Sequence, residues 1–353
     1  MRIENRPVPT GRITQNVLSV AGNDGNTENT GDTGSAAESG GTVLFVHGNV
    51  SSAAFWRNTM LALAEAGHRP LAVDLRGFGD TEPAPVDATR GLRDYSDDVL
   101  ALLDALGLDG VHLVGWSMGG GVVLQALRDR PSAVRSVTLV NPISPYGFGG
   151  THGVDGVLNH PDGTGGGAGA ANPDFVKLLA AGDTSDDSPV SPRNVMRTTY
   201  VKPGTVIEDE DALVASMLST RVGEDHYPGD AVASEEWPGV RPGTRGVLNS
   251  FAPTHFRLDD LHTIDPKPPI LWIRGEADVI VSDTSLFDLA HLGALGAVPG
   301  SPGTPAQPMV TQTRAALERY GPYTEIVLDC GHSPHIERPA EFRAALSDHL
   351  KRS

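Results

Sequence analysis

The chain has 353 residues, with 27 basic against 44 acidic side chains and a net charge of −17, which excludes the basic footprint that a nucleic-acid partner needs. Its apolar residues come in short runs, none near the ~20 consecutive residues of a membrane span, so no membrane partner is expected. The length suits one large domain with a smaller one inserted. In chain order, residues 11–20 read as an edge strand, and the polar, acidic, Gly-rich stretch 22–41 as a flexible loop that buries too little apolar surface to order itself. TVLFVHG (42–48) is a buried strand, 55–66 a helix, and RPLAVDLRGFG (69–79) a second strand and turn. A helix follows at 92–108, with Val99, Leu102, Leu103 and Leu106 on its apolar face. VHLVGWS (111–117) is a third strand, 118–129 a helix that stops before Pro131, and VRSVTLVNP (134–142) a fourth strand.

Residues 143–266 break this rhythm. The stretch 145–173 is crowded with Gly, Pro, His and Asp, and helical pieces follow near 174–181, 192–200 and 209–221, with no convincing buried strand. The strand pattern returns at PPILWIRGEAD (268–278) and YTEIVLDCGHS (323–333), a Gly- and Pro-rich surface loop is expected at 293–310, and a helix closes the chain at 339–351. Strands that are apolar on both faces and alternate with helices predict an α/β fold, with a mostly parallel sheet covered on both sides. The predicted core is 1–142 and 267–353, with 143–266 inserted as a mainly helical cap. No internal repeat of 20–50 residues is present.

Three motifs carry chemistry. Gly115-Trp116-Ser117-Met118-Gly119 lies between a strand and a helix, the context of a nucleophile elbow, in which small residues flank a serine on a sharp turn. Gly275-Glu276-Ala277-Asp278 and Cys330-Gly331-His332 each follow a strand, where an acid can orient a histidine and the histidine can reach the serine. Asp278 has rivals in Glu276 and Asp283, and His332 has one in His335. The order Ser, Asp, His is that of the α/β-hydrolases. His47-Gly48-Asn49 closes the first buried strand; the amides of Asn49 and Met118 make a candidate oxyanion hole, and His47 reads as structural. Trp116, Tyr146, Phe148, Tyr200 and Trp237 are candidate substrate-binding residues. His152, Asp155, His160 and Asp162 lack the regular spacing of a metal site and read as a polar loop. Cys330, the one cysteine, reads as a small buried hydrophobe.

On these motifs the chain resembles the α/β-hydrolase superfamily over about 42–142 and 266–351. HGNVSSAAFWRN is similar to the corresponding stretch of haloalkane dehalogenases, which carry an aspartate nucleophile followed by tryptophan. Ser117 and Met118 stand at those places here, so that reaction is not implied. DLRGFGDTEP, GWSMGG and GHSPHIERP are more similar to esterases, C–C hydrolases and cofactor-free haloperoxidases.

The expectation is therefore a serine hydrolase cleaving a carboxylic ester or lactone of a small, largely apolar molecule, without metal or cofactor. An amide, thioester or C–C bond is open to the same groups, and the rival class is a non-catalytic ligand-binding homologue. The single cysteine and the absence of a signal-like N-terminus predict a cytoplasmic location; the oligomeric state is left open. Only four of the basic residues are lysines, at 177, 202, 267 and 351. That composition fits a salt-rich cytoplasm, and it fits equally a genome rich in Arg, Ala, Gly and Asp codons.

Overall fold

Parallel strands bring their carboxyl ends to one edge of a sheet, and that edge is where the chemistry-bearing turns lie. The computed structural model describes residues 1–22 and 40–353; the loop expected at 22–41 falls almost wholly outside the described residues. Eight strands form one sheet: β1 Ile3–Pro9, β2 Thr14–Val20, β3 Thr42–Val46, β4 Arg69–Val73, β5 Val111–Trp116, β6 Val134–Val140, β7 Ile270–Gly275 and β8 Tyr323–Leu328. Their spatial order is β1-β2-β4-β3-β5-β6-β7-β8. β1 and β2 are an antiparallel hairpin that joins β4 antiparallel, and the remaining neighbours are parallel. The polar, Pro-containing β1 (IENRPVP) carries little of the buried-strand pattern, and the sequence reading does not anticipate it.

Strands β3, β4, β5 and β6 are almost fully buried on both faces, as expected of a sheet covered by helices. Helices α1 (Arg57–Glu65), α2 (Arg93–Leu106), α3 (Met118–Asp129), and later α6 (Met309–Tyr320) and α7 (Pro339–Arg352), flank it. Helix α2 buries Tyr95, Val99, Leu102 and Leu103 at helical spacing and ends at Gly107 in the left-handed conformation. Its inward Asp98 takes a bidentate contact from Arg76 (2.6 and 2.8 Å) and a third bond from Arg12 (2.6 Å). This cluster ties the hairpin edge and the turn after β4 to α2.

The insertion between β6 and β7 is less helical than its sequence suggests. It contains α4 (Pro173–Ala180), a short helix Pro192–Val195 that runs on as a π-turn Met196–Tyr200, and α5 (Glu210–Leu218). Three two-stranded ladders accompany them: Thr151–His152 with Val157–Leu158, Val222–Gly223 with Tyr227–Pro228, and Ala231–Ala233 with Val240–Pro242. None joins the main sheet. The stretch expected as a surface loop at 293–310 starts within the helix Leu289–Ala294, and its end is not superficial. Gln307 is buried; it donates to the Gly147 carbonyl (3.0 Å) and accepts from the Gly149 amide (2.6 Å). Among the described residues no helix is long and apolar enough to cross a membrane.

Candidate active site

At the end of β5 the chain turns into α3 through Ser117, whose φ of 56° and ψ of −119° are strained for a residue with a side chain. The surroundings over-determine it. Its amide donates to the Val140 carbonyl (2.9 Å), and its own carbonyl accepts from Gly120 (2.9 Å) and Ile143 (3.1 Å). Packing at the turn explains the flanking glycines. A Cβ at Gly115 would collide with the Gly119 carbonyl, and one at Gly119 would come 2.5 Å from the carbonyls of Val46 and His47. The turn thus holds the Ser117 hydroxyl at the floor of a cavity of about 430 Å³, with Met118 beside it at the start of α3.

His332 and Asp278 arrive from the ends of β8 and β7. His332 Nδ1 lies 2.8 Å from Asp278 Oδ2, both side chains buried. The other carboxylate oxygen accepts from the amides of Ile280 (2.7 Å) and Val281 (3.1 Å). With Nδ1–H given to the carboxylate, Nε2 is the basic nitrogen, and His332, like Ser117, faces the cavity. The rivals are elsewhere: Glu276 is exposed, and exposed Asp283 accepts from the Thr311 amide (3.0 Å) and hydroxyl (2.6 Å). His335 is buried behind the site, stacked on Trp56 at 4.3 Å and edge-on to Trp116 at 5.0 Å. Burial, with His332 nearby, pushes its pKa down to about 3, so it is neutral.

The turn after β3 is set by His47. Its Nε2 accepts from the Leu75 amide (3.0 Å), which leaves Nδ1–H to donate to the Gly48 carbonyl (2.7 Å). Burial lowers its pKa, against the opposing charge of Asp74. Asn49 follows at the cavity wall, with its Oδ1 buried and without a partner. The Tyr200 hydroxyl, from the insertion, donates to the Asn49 carbonyl (2.9 Å) and lies 3.3 Å from that of Val50.

Of the five aromatic candidates, Trp116, Phe148 and Tyr200 line the cavity. Trp116 also donates from Nε1 to the His332 carbonyl (2.8 Å). Tyr146 and Trp237 do not line it, which corrects the expectation. Tyr146 is buried under the Arg257 guanidinium at 4.6 Å and bonded to Arg319. Trp237 lies over Gly293 and donates to the Pro299 carbonyl (2.9 Å), held by the loop that docks on the insertion. His152 pairs with Asn159 (2.7 Å), and Asp162 accepts from Thr164 and Ser234. Among the described residues no three His, Cys, Asp or Glu side chains are grouped to hold a metal. Cys330 is buried, and burial raises its thiol to about 12.

Three contributors escaped the sequence reading. Asn141, at the end of β6 with φ 39°, is buried and joins two turns. Its Oδ1 accepts from the Gly275 amide (2.9 Å), and its Nδ2 donates to the carbonyls of His332 (2.8 Å) and Gly331 (3.2 Å). Glu337 accepts from the Gly331 amide (2.9 Å) and the Lys202 amide (2.7 Å), linking the histidine turn to the insertion. The third is the segment after Asp278, whose Ile280, Leu286, Phe287, Leu289 and Leu292 form one wall of the cavity. The Asn141-Pro142 pair at a strand's end was a legible turn signal for the first; the other two carry none.

Residues 41–173 match the family described as alpha/beta hydrolase fold. A Variovorax paradoxus (strain S110) protein named "Putative carbamate hydrolase RutD" is 46% identical over 102 residues, covering 29% of this chain and 38% of that protein. Epoxide hydrolase 2 of Siraitia grosvenorii is 32% identical over 136 residues, 38% of each chain. This chain thus spans well under half the length of these curated relatives. Among solved structures, carboxylesterase CesB (YbfK) from Bacillus subtilis aligns at a TM-score of 0.61 with 14% identity, over 100% of this chain and 93% of that one. Esterase RhEst1 from Rhodococcus sp. ECU1013 aligns at 0.56 with 19% identity, over 99% of both. Sheet order, elbow and the match over residues 41–173 agree on the α/β-hydrolase fold.

Proposed function

We propose that the protein is a serine hydrolase that cleaves a carboxylic ester or lactone of a small, largely apolar molecule through an acyl-enzyme. The observation that carries this reading is the placement of Ser117, on its strained turn, in one cavity with a histidine whose far nitrogen is paired to buried Asp278 at 2.8 Å. In the proposed cycle the Ser117 hydroxyl attacks the carbonyl carbon while His332 Nε2 takes its proton. Asp278 holds the ring and stabilises the imidazolium. The amides of Asn49 and Met118 stabilise the oxyanion. The leaving alcohol takes the proton from His332; water then attacks the acyl-enzyme by the same route and frees the acid. Residues 143–266 act as a cap that selects substrates. Supporting this, Phe148, Phe175, Tyr200 and Phe251 of the insertion face the same cavity as Ser117.

The test is a fluorophosphonate label followed by a panel of p-nitrophenyl esters, lactones, amides and carbamates. The expected result is labelling at Ser117 and turnover of esters or lactones, both lost in Ser117→Ala with melting unchanged. Substantial turnover remaining in Ser117→Ala overturns the assignment, and turnover confined to amides or carbamates overturns the ester reading.

A further inference from the structure

The cavity wall is unusual for so acidic a chain. Among the described residues that face it there is no Asp, Glu, Lys or Arg, although the protein carries a net −17. Several of its polar side chains are committed elsewhere. The hydroxyls of Thr198 and Thr199 bond back to the carbonyls of Asn194 (2.7 Å) and Val195 (2.6 Å), and that of Tyr200 to Asn49. Asn172 uses its Oδ1 to cap α4. Beyond Ser117, His332 and Asn49, whose buried Oδ1 has no partner, the wall is mostly apolar.

The cavity, of about 430 Å³, also has an apolar lip. Two residues of its wall, Leu286 and Phe287, are 46% and 41% exposed, so they stand where the cavity opens to water. They are held there. The loop that carries them is closed by Leu286 N to the Val279 carbonyl (2.9 Å) and by the Ser285 hydroxyl to the Ile280 carbonyl (2.6 Å). Asp288 anchors its far end, accepting from the amides of Ala290 (3.0 Å) and Gln307 (2.7 Å). Two adjacent large apolar side chains, half exposed at the cavity mouth, offer an apolar ligand a surface continuous with the cavity wall.

Resting on the ester-hydrolase reading, we infer that the substrate is an uncharged ester with one apolar arm longer than the cavity, whose distal end leaves across Leu286 and Phe287. A charge on the short part of that arm would be buried without a partner and is rejected; a charge beyond the lip is in water and is tolerated.

The experiment is a molecular ruler. Two series of neutral esters, one lengthening the acyl arm and one the alcohol arm, are compared with analogues ending in a carboxylate at four or at ten carbons. In the arm that occupies the cavity, kcat/KM rises by up to about fourfold per methylene withdrawn from water and continues to rise past the length that fills the cavity. The four-carbon carboxylate loses on the order of 100-fold or more against its neutral isostere, and the ten-carbon one less than about tenfold. The variants Leu286→Ser and Phe287→Ser, each at a half-exposed position, lower the ratio of long-arm to short-arm kcat/KM several-fold. If wild type turns over esters but neither arm shows a length-dependent charge penalty, or the ratio is unmoved in both variants, this inference is wrong while the hydrolase reading stands. If Ser117 is not labelled and no ester is cleaved, both fall.

Discussion

Asn141 is the most revealing place to perturb the site without touching a reacting group. Its carboxamide makes three buried hydrogen bonds, to Gly275 N, Gly331 O and His332 O, and so pins the ends of β7 and β8 to each other through β6. Its φ of 39° suits Asn or Gly and penalises other side chains. Asn141→Gly removes the carboxamide without adding backbone strain. Three bonds at about 1 kcal/mol each give an expected loss of about 3 kcal/mol; Asn141→Ala adds about 1–2 kcal/mol for the left-handed backbone. The histidine turn would also loosen, and a displacement of about 1 Å at a reacting group costs up to about 100-fold in rate. The assay pairs urea unfolding with turnover of an activated ester under folding conditions, for both variants and for Asn141→Asp. Asn141→Asp keeps the acceptor to Gly275 N but sets a carboxylate against two carbonyls, so it should lose kcat with little change in KM. If Asn141→Gly stays within 1 kcal/mol of wild type and within threefold in kcat, the clamp does not position His332.

Tyr200→Phe removes the hydroxyl that holds the Asn49 carbonyl; kcat for esters should fall about tenfold with KM little changed, and an unchanged kcat would show that the turn after β3 holds without it. Asp278→Asn should lose several kcal/mol of transition-state stabilisation, measured as kcat/KM, whereas Asp283→Asn should keep wild-type rates. Burial holds the pKa of His335 down at about 3 and that of His112 at about 4 in the folded state. The unfolded chain therefore binds more protons below its ordinary histidine value of about 6.5, and stability falls as pH drops from there toward 4. His335→Leu should reduce that slope by up to about 1.4 kcal/mol per pH unit, read from urea midpoints at pH 4.5 and 7; an unaltered slope would place the titration elsewhere. Finally, if the acidic excess is a salt adaptation, Tm should rise from dilute to molar KCl, where the Debye length is ~3 Å; a flat response favours codon usage.

The parts of the molecule that were legible are those in which one strong local signal fixes one geometry. A buried strand ending in Gly-x-Ser-x-Gly leaves the chain little choice but a tight turn, because Cβ atoms at Gly115 and Gly119 have nowhere to go. The same reasoning located the turns after β3, β7 and β8, and parallel register then carried all four to one edge. The insertion was less legible for a physical reason. Its Gly- and Pro-rich segments fold on long-range contacts, such as Gln307 with Gly147 and Gly149, which leave no periodic trace. An aromatic residue there is equally able to face a cavity, as Phe148 does, or a cation, as Tyr146 does over Arg257. Pattern alone does not separate the two. The wall formed by residues 280–292 was hidden similarly, since its apolar residues follow neither a helical nor a strand period.

The way the insertion is rooted bears on how a substrate could reach Ser117. Around residues 195–202 it is bound to both halves of the site. Tyr200 holds the turn after β3 through the Asn49 carbonyl, and the Lys202 amide shares Glu337 with the Gly331 amide, next to His332. Swinging this root would therefore break contacts to the turn after β3 and to the turn that carries His332 together. A hinge there would dismantle the candidate site, so the root is better understood as part of that site's frame. Access is then left to parts of the wall with fewer ties to the reacting groups. Leu286 and Phe287 meet that condition, since their loop is closed on itself and anchored at Asp288. The same division separates the tasks of the chain. Strand ends and the 195–202 root hold the candidate site, and the half-exposed apolar lip is where change in specificity would least disturb it.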